Sequence, residues 1–281
     1  PGAWLWGPSR DSGFPERVSE RLIEFLATQG PSPDGDSIAL PAPRTAAAKS
    51  RGMGITASDW GGAGLLQTPT ARMSNVGTFS FNLARVRPYT CGNVFMQPFE
   101  WLEGGFRYVN VSSLLYGPAE LSGNQALKDK SLDLKLRLRR ESAYLPEIAV
   151  GFRDIAGTGL FSGEYLVASK RSGDIDWSLG IGWGYLGARG DFRGVGRRGA
   201  NTGQGGNFAF GNYFRGPAAL FGGLQTQTPW ERLIVKLELD GNNYRREPQG
   251  TSQRQRSPLN LGLVYRAASW ADLTVGLERG N

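Results

Sequence analysis

Residues 131–187 constrain the fold more than any other stretch of this 281-residue chain. In the opening run SLDLKLRLRRES, Leu132, Leu134, Leu136 and Leu138 alternate with Asp133, Lys135, Arg137 and Arg139. Such period-two alternation puts the leucines on one face of a β-strand and the charges on the other, whereas a helix would spread both sets around its circumference. The pattern repeats three times. EIAVGFRDIAG has Ile148, Val150 and Phe152 on one face and Arg153 on the other; FSGEYLVASK sets Phe161, Tyr165 and Val167 against Glu164 and Lys170. DIDWSLGIGWGYLG sets Ile175, Trp177, Leu179, Ile181, Trp183 and Tyr185 against Asp176, Ser178 and glycines.

An alternating strand fits a water-soluble sandwich, with its apolar face as the core, or a membrane barrel, with its apolar face toward lipid. Three features favour the barrel. Opposite charges recur on the non-apolar face, as a lumen of laddered ion pairs requires. Aromatic residues gather near strand ends (Trp101, Tyr108, Tyr144, Trp177, Trp183, Trp230, Tyr244 and Trp270), where interfacial girdles belong. Glycines alternate with large aromatics, which lets a narrow interior close.

Composition removes several classes. The chain has no histidine, so Ser-His-Asp and Cys-His catalysis and histidine-ligated metals are excluded. The lone Cys91 rules out a disulfide framework within the chain. No run of ~18 apolar residues exists, which excludes a helical membrane protein and leaves a barrel untouched. The net charge of +7 suits an anionic partner such as phosphate-rich lipid, nucleic acid or an acidic polysaccharide.

Before the strands, Phe14, Val18, Leu22, Phe25 and Leu26 recur at helical spacing, and Gly30-Pro31 stops the run. This amphipathic helix either packs on the body of the protein or serves as a plug or partner-binding element. A Pro/Ala-rich linker with Arg44, Lys49 and Arg51 follows over residues 31–54. The organisation expected is therefore a periplasmic segment over residues 1–57 and an outer-membrane barrel over 58–281. ITASDWGGAGLLQTPTARM is read as the approach to that barrel. Strands are expected at about 77–87, 92–97, 100–110, 131–142, 147–155, 162–172, 174–187, 212–228, 231–244, 258–269 and 271–280.

The connections between these strands alternate in length. Short turns fall at Pro98-Phe99, residues 143–146, Gly173, Pro229-Trp230 and Trp270, and longer excursions at 111–130, 156–161, 187–211 and 243–257. Short periplasmic turns opposite long outer loops are the pattern of outer-membrane barrels. Eleven strands is an odd number where bacterial barrels are usually even. The fold expected is thus an all-β, antiparallel up-and-down transmembrane β-barrel of about 12 strands, incomplete in this chain and forming the N-terminal portion of a longer protein.

Four stretches carry a family resemblance: GLLQTPTARM, QPFEWLEGGFRY, KDKSLDLKLRL, and the long PEIAVGFRDIAGTGLFSGEYLVASKRSGDIDWSLGIGWG. Together they resemble the YjbH/GfcD-type family of outer-membrane proteins linked to exopolysaccharide and capsule operons, strongly from Gly64 to Gly187 and thinly to Glu278. The resemblance implies a β-barrel component that helps export or assemble a secreted polysaccharide, in members that are longer and carry a second barrel-like half. It brings no catalytic residues and no cofactor. The partners it implies are outer-membrane lipid and lipopolysaccharide, the secreted polysaccharide, and other proteins of the export system; nucleic acid is not among them.

Extending the alternation puts Glu103, Arg107, Asp133, Lys135, Arg137, Arg139, Arg153, Glu164, Lys170, Asp176, Lys236, Glu238, Asp240, Arg266 and Glu278 on the lumenal face. There they either cross-brace a narrow barrel or line a polar path for a sugar chain. Asp154 and Glu164 flank a glycine-rich loop and could in principle form a glycosidase pair; a loop fixed by hydrogen bonds and an Arg153 ion pair is the plainer reading. Arg189, Arg193, Arg197 and Arg198 lie among glycines in the 187–211 loop, a composition suited to contacts outside the barrel with anionic lipopolysaccharide or polymer. A passive solute channel and a polymer-trimming hydrolase are the rival functions.

Overall fold

The computed structural model describes residues 53–199, 208–247 and 251–280. The expected helix at residues 14–30 and nearly all of the linker lie outside the described residues. Arg51–Asn281 forms one compact unit.

Eleven antiparallel strands form one sheet in strict sequence order. They are β1 Phe79–Val86, β2 Tyr89–Phe99, β3 Leu102–Leu115, β4 Ala126–Arg139, β5 Glu147–Arg153, β6 Gly163–Ser172, β7 Ile175–Trp183, β8 Ala218–Gln227, β9 Leu233–Leu239, β10 Leu259–Ala268 and β11 Ala271–Leu277. The main differences from expectation lie at loop boundaries. β7 stops at Trp183, where Gly184 takes a positive φ of 61° and starts a single 3-10 turn. β9 stops at Leu239 because Asp240 and Asn242 fold the chain inward through bonds to Asn242 N–H and Tyr244 N–H, both 2.9 Å. The excursions at 116–125, 154–162, 184–217 and 240–258 all leave one end of the sheet. The turns at 100–101, 140–146, 173–174, 228–232 and 269–270 all lie at the other.

The sheet is inside-out relative to a water-soluble β-protein. Its outward face carries exposed Phe81, Leu83, Leu132, Leu179, Leu237, Leu261, Leu263 and Val275. Its inward face buries Arg107, Lys135, Lys236 and Glu238, none of them more than 2% exposed. Trp101, Tyr144, Trp230 and Trp270 are exposed at the short-turn end, and Phe99 stacks on Trp101 at 5.5 Å. Tyr244 departs from the expected girdle, being buried inside with Trp60, Tyr89, Phe161 and Tyr185.

Inward glycines make room for inward aromatics on the neighbouring strand. Gly105 pairs with Phe95, Gly151 with Tyr165 and Gly180 with Phe221. A Cβ on Gly151 would stand 2.1 Å from Tyr165 Cζ, and one on Gly180 would stand 2.3 Å from Phe221 Cζ. This pairing reverses the expected faces of β6. Tyr165 and Val167 point inward, so Glu164 and Lys170 take the outward parity, opposite Phe152 and Trp177.

The closed barrel of about 12 strands is not realised among the described residues. β1 and β11 are the two edges and share no ladder. They approach at the long-loop end, where Arg279 Nη2 donates to the Arg87 carbonyl at 2.6 Å.

Candidate functional site

The inward charges act on the chain itself. Residues 53–73, read from the sequence as an approach to the strands, occupy the concave face of the sheet, with Trp60, Ala63, Leu65, Leu66, Thr68 and Ala71 all buried. The segment is held by two bridges, Ala57 with Ala63 and Gly64 with Pro69, and by Asp59 N–H donating to the Leu66 carbonyl at 2.8 Å. Glycine is required at Gly61, whose φ is 103° and whose Cβ would fall 2.5 Å from Asn93 Cβ.

Acidic residues of the wall take the segment's N–H groups. Glu238 accepts from the backbone N–H of Leu66 at 2.9 Å, Gln67 at 3.0 Å and Thr68 at 2.9 Å, and from the Thr68 hydroxyl at 2.8 Å. Charge-assisted bonds of this kind are roughly twice as strong as neutral ones. Glu103 accepts from Ala63 N–H at 3.3 Å while pairing with Lys135 at 2.9 Å. Glu278 accepts from Gln67 Nε2 at 2.6 Å.

Basic residues take the carbonyls. Lys236 Nζ donates to Ala57, Gly64 and Leu65 at 3.0, 3.1 and 2.6 Å. Lys135 donates to the Arg72 carbonyl at 2.9 Å, and Arg153 to that of Gln67 at 2.8 Å. Arg107 and Arg153 also lie over Trp60, with Cζ 4.7 and 5.4 Å from the ring centroid, within cation–π range. At the short-turn end, Arg72 of the segment reaches Glu141 at 2.6 Å, Glu147 at 2.9 Å and Asp176 at 2.6 Å.

The expected lumenal residues divide accordingly. Glu103, Lys135, Arg153, Asp176, Lys236, Glu238 and Glu278 bind the segment directly, and Arg107, paired with Asp133 at 2.9 Å, braces the wall beneath Trp60. Arg137 faces inward and pairs with Glu147 at 2.5 Å. Asp240 accepts from the Tyr244 hydroxyl at 2.5 Å, beyond the end of β9. Arg266 lies inward, 3.8 Å from Asp272. Three expectations are corrected. A bulge between Arg137 and Arg139 pairs Arg139 with Ile148 and carries it to the outer face. Lys170 is outward and donates to the Ser142 and Ala143 carbonyls at 2.5 and 3.0 Å. Glu164 is outward and buried beneath the 187–211 loop, where Arg198 grips it with bonds of 2.7 and 2.9 Å.

Asp154 and Glu164 are engaged by different partners. Asp154 takes a positive φ of 54° and accepts from Phe161 N–H at 3.2 Å, and burial followed by nearby Asp129 pushes its carboxyl up to about 7. Arg153, expected to pair with it, points to Gln67 and Trp60 instead. Of the loop arginines, Arg189 pairs with Asp191 at 2.5 Å and Arg198 with Glu164, while Arg193 and Arg197 are exposed.

Sequence reading missed the segment itself. The signal for it was indirect: Lys236 and Glu238, like Arg153, carry inward charges for which the neighbouring strands supply no full set of partners.

An antiparallel meander with an apolar exterior, wrapped on a segment of its own chain by ionic side chains, defines a self-occupied β-sheet protein whose interior site holds peptide. The chain belongs to the family described as "Exopolysaccharide biosynthesis protein YbjH", which it matches over residues 56–281, the interior segment included. It is 47% identical over 238 residues to a protein of Escherichia coli K12 described as "Uncharacterized lipoprotein YjbH". That match covers 82% of this chain and 34% of the relative, so the chain spans about a third of the relative's length. No solved structure matches the chain.

Proposed function

We propose that this chain is an outer-membrane β-barrel portion of an exopolysaccharide export or assembly system, acting as a non-enzymatic docking scaffold whose interior is sealed by residues 53–73. The family supports the polysaccharide system, and the lipoprotein name of the relative supports the cell envelope. The apolar exterior supports membrane burial, because exposed apolar surface of this extent marks a membrane or protein contact. Long loops gathered at one end, joined there by the two-residue turn at Arg87-Pro88, and five short turns at the other support an orientation with the latter periplasmic.

The observation that carries the scaffold reading is the clamp of Glu238 and Lys236 on residues 57–68. An interior filled this way disfavours both the passive channel and the polysaccharide conduit while the segment is in place. Asp154 is tied to Phe161 N–H and Glu164 to Arg198 and Phe214 N–H, and two carboxyls each occupied in this way disfavour the hydrolase. Deleting the gene and restoring it in the native bacterium tests the reading. Cell-surface polysaccharide is expected to fall and return, with uptake of small solutes unchanged. Unchanged polymer with impaired solute uptake would favour the channel instead.

A further inference from the structure

The loop between β7 and β8 does not extend freely from the long-loop end; it folds back onto the outer wall. Its rising and falling arms are joined by a bridge between Phe192 and Ala218, by Gly216 N–H to the Val195 carbonyl at 3.2 Å, and by Gly199 N–H to Asn212 Oδ1 at 2.8 Å. Phe214 packs on Phe152 at 5.6 Å and on Trp183 at 5.2 Å, both outward residues of the wall. Arg198 and Phe214 N–H together hold Glu164. The latch is therefore both apolar and ionic.

From this latch an aromatic series runs outward. Phe152 meets Tyr213 at 5.4 Å, Tyr213 meets Phe210 at 5.6 Å, and Phe210 stacks on Phe208 at 5.6 Å. Its outer members are open, Phe208 by 53% and Phe210 by 72%. Arg193, Arg197 and Arg215 are exposed on the same two arms and have no carboxylate partner among the described residues. The acidic side chain on these arms, Asp191, is already taken by Arg189.

Aromatics that continue from an apolar wall into a group of free guanidinium ions fit one environment, the boundary between acyl chains and anionic headgroups. Guanidinium groups bind phosphate with two parallel hydrogen bonds. We infer that this loop is a binding surface for phosphate-bearing lipid headgroups at the membrane surface, with Phe208 and Phe210 in the acyl boundary and Arg193, Arg197 and Arg215 on the phosphates. The inference rests on the reading of the outer wall as lipid-facing.

The test uses the full chain purified in neutral detergent and titrated with diphosphorylated lipid A, with its dephosphorylated form and with a soluble polyuronate. One variant combines Arg193→Gln, Arg197→Gln and Arg215→Gln; a second combines Phe208→Ser and Phe210→Ser. All five residues are exposed, and the Arg198–Glu164 latch is left intact. Each cation near an anionic surface contributes about fivefold, so the arginine variant is expected to lose up to ~100-fold in lipid A affinity. The phenylalanine variant is expected to weaken as well, and the dephosphorylated lipid to bind wild type no better than lipid A binds the arginine variant. Unchanged lipid A binding by the arginine variant overturns the inference, as does polyuronate binding as tightly as lipid A through the same arginines. Insertion of wild type into neutral phosphatidylcholine vesicles is measured alongside. Failure there removes the lipid-facing wall and this inference with it, whereas insertion without phosphate selectivity removes only the inference.

Discussion

Glu238 and Thr68 are joined twice, the carboxylate accepting from both the backbone N–H at 2.9 Å and the hydroxyl at 2.8 Å. With Leu66 and Gln67 N–H on the same carboxylate, three successive peptide groups of the interior segment depend on one side chain. Hydrogen bonds to charged groups contribute ~1.5–3 kcal/mol each, and a buried donor left unbonded costs a similar amount. Glu238→Ala is therefore expected to loosen the segment by about 3 kcal/mol or more. Limited proteolysis in detergent should then cut within residues 53–73 while the strands stay protected; an equally resistant segment would remove Glu238 from its anchoring role.

The two faces of β4 make opposite demands. Leu136 lies outward, opposite Leu102 and Val150, so on the proposed lipid-facing wall Leu136→Arg places a cation in the apolar band at a cost of roughly 2–4 kcal/mol. Arg137→Leu removes one partner of Glu147, which keeps its 2.9 Å pair with Arg72. Heat-modifiable migration on gels after refolding into detergent should show assembly lost for the first variant and kept for the second. Equal damage from both would contradict the assignment of faces.

Gly151 and Tyr165 form a size-matched pair across β5 and β6. Gly151→Ala drives its Cβ into the tyrosine ring, and overpacking of this kind costs typically ~1–3 kcal/mol. Tyr165→Ala in the same chain should recover part of the loss. A double-mutant cycle on urea unfolding reads the coupling, and strictly additive effects would show that the two side chains do not compete for the same space.

Asp154 and Glu247 sit in the long-loop region with carboxyls that burial pushes up to about 7, from ordinary values of 3.8 and 4.5. In the window between those values the folded chain holds protons that the unfolded chain has already released. Their contribution to stability is therefore greatest below the window, falls as pH rises through it, and is lost above about 7. Asp154→Asn suits the positive φ at this position, a conformation that asparagine tolerates. Combined with Glu247→Gln it should flatten the pH dependence of the thermal midpoint. An unaltered slope would assign the titration to other groups.

The strands were legible in the sequence because a two-residue period survives every substitution that keeps one face apolar. The separation of short turns from long loops was legible once the strands were placed, except at Arg87-Pro88, a two-residue turn at the long-loop end. Face assignment failed at β6, where Tyr165 and Val167 are apolar yet inward; hydropathy alone cannot tell a lipid-facing tyrosine from one packed over Gly151. Arg139 escaped because a bulge shifts parity by one residue without a mark in the pattern. The segment at residues 53–73 has no period of its own, since its shape is imposed by Glu238, Lys236 and Arg153 from distant strands. Its residues were therefore readable only as a connection.

Conductance across a planar bilayer tests the proposed seal most directly, comparing the purified protein with a form that lacks everything before Ser74. The intact protein is expected to insert without steady conductance, and the shortened form to give discrete open steps. Steady conductance from the intact protein, or a shortened form that inserts and stays sealed, would contradict the role assigned to residues 53–73.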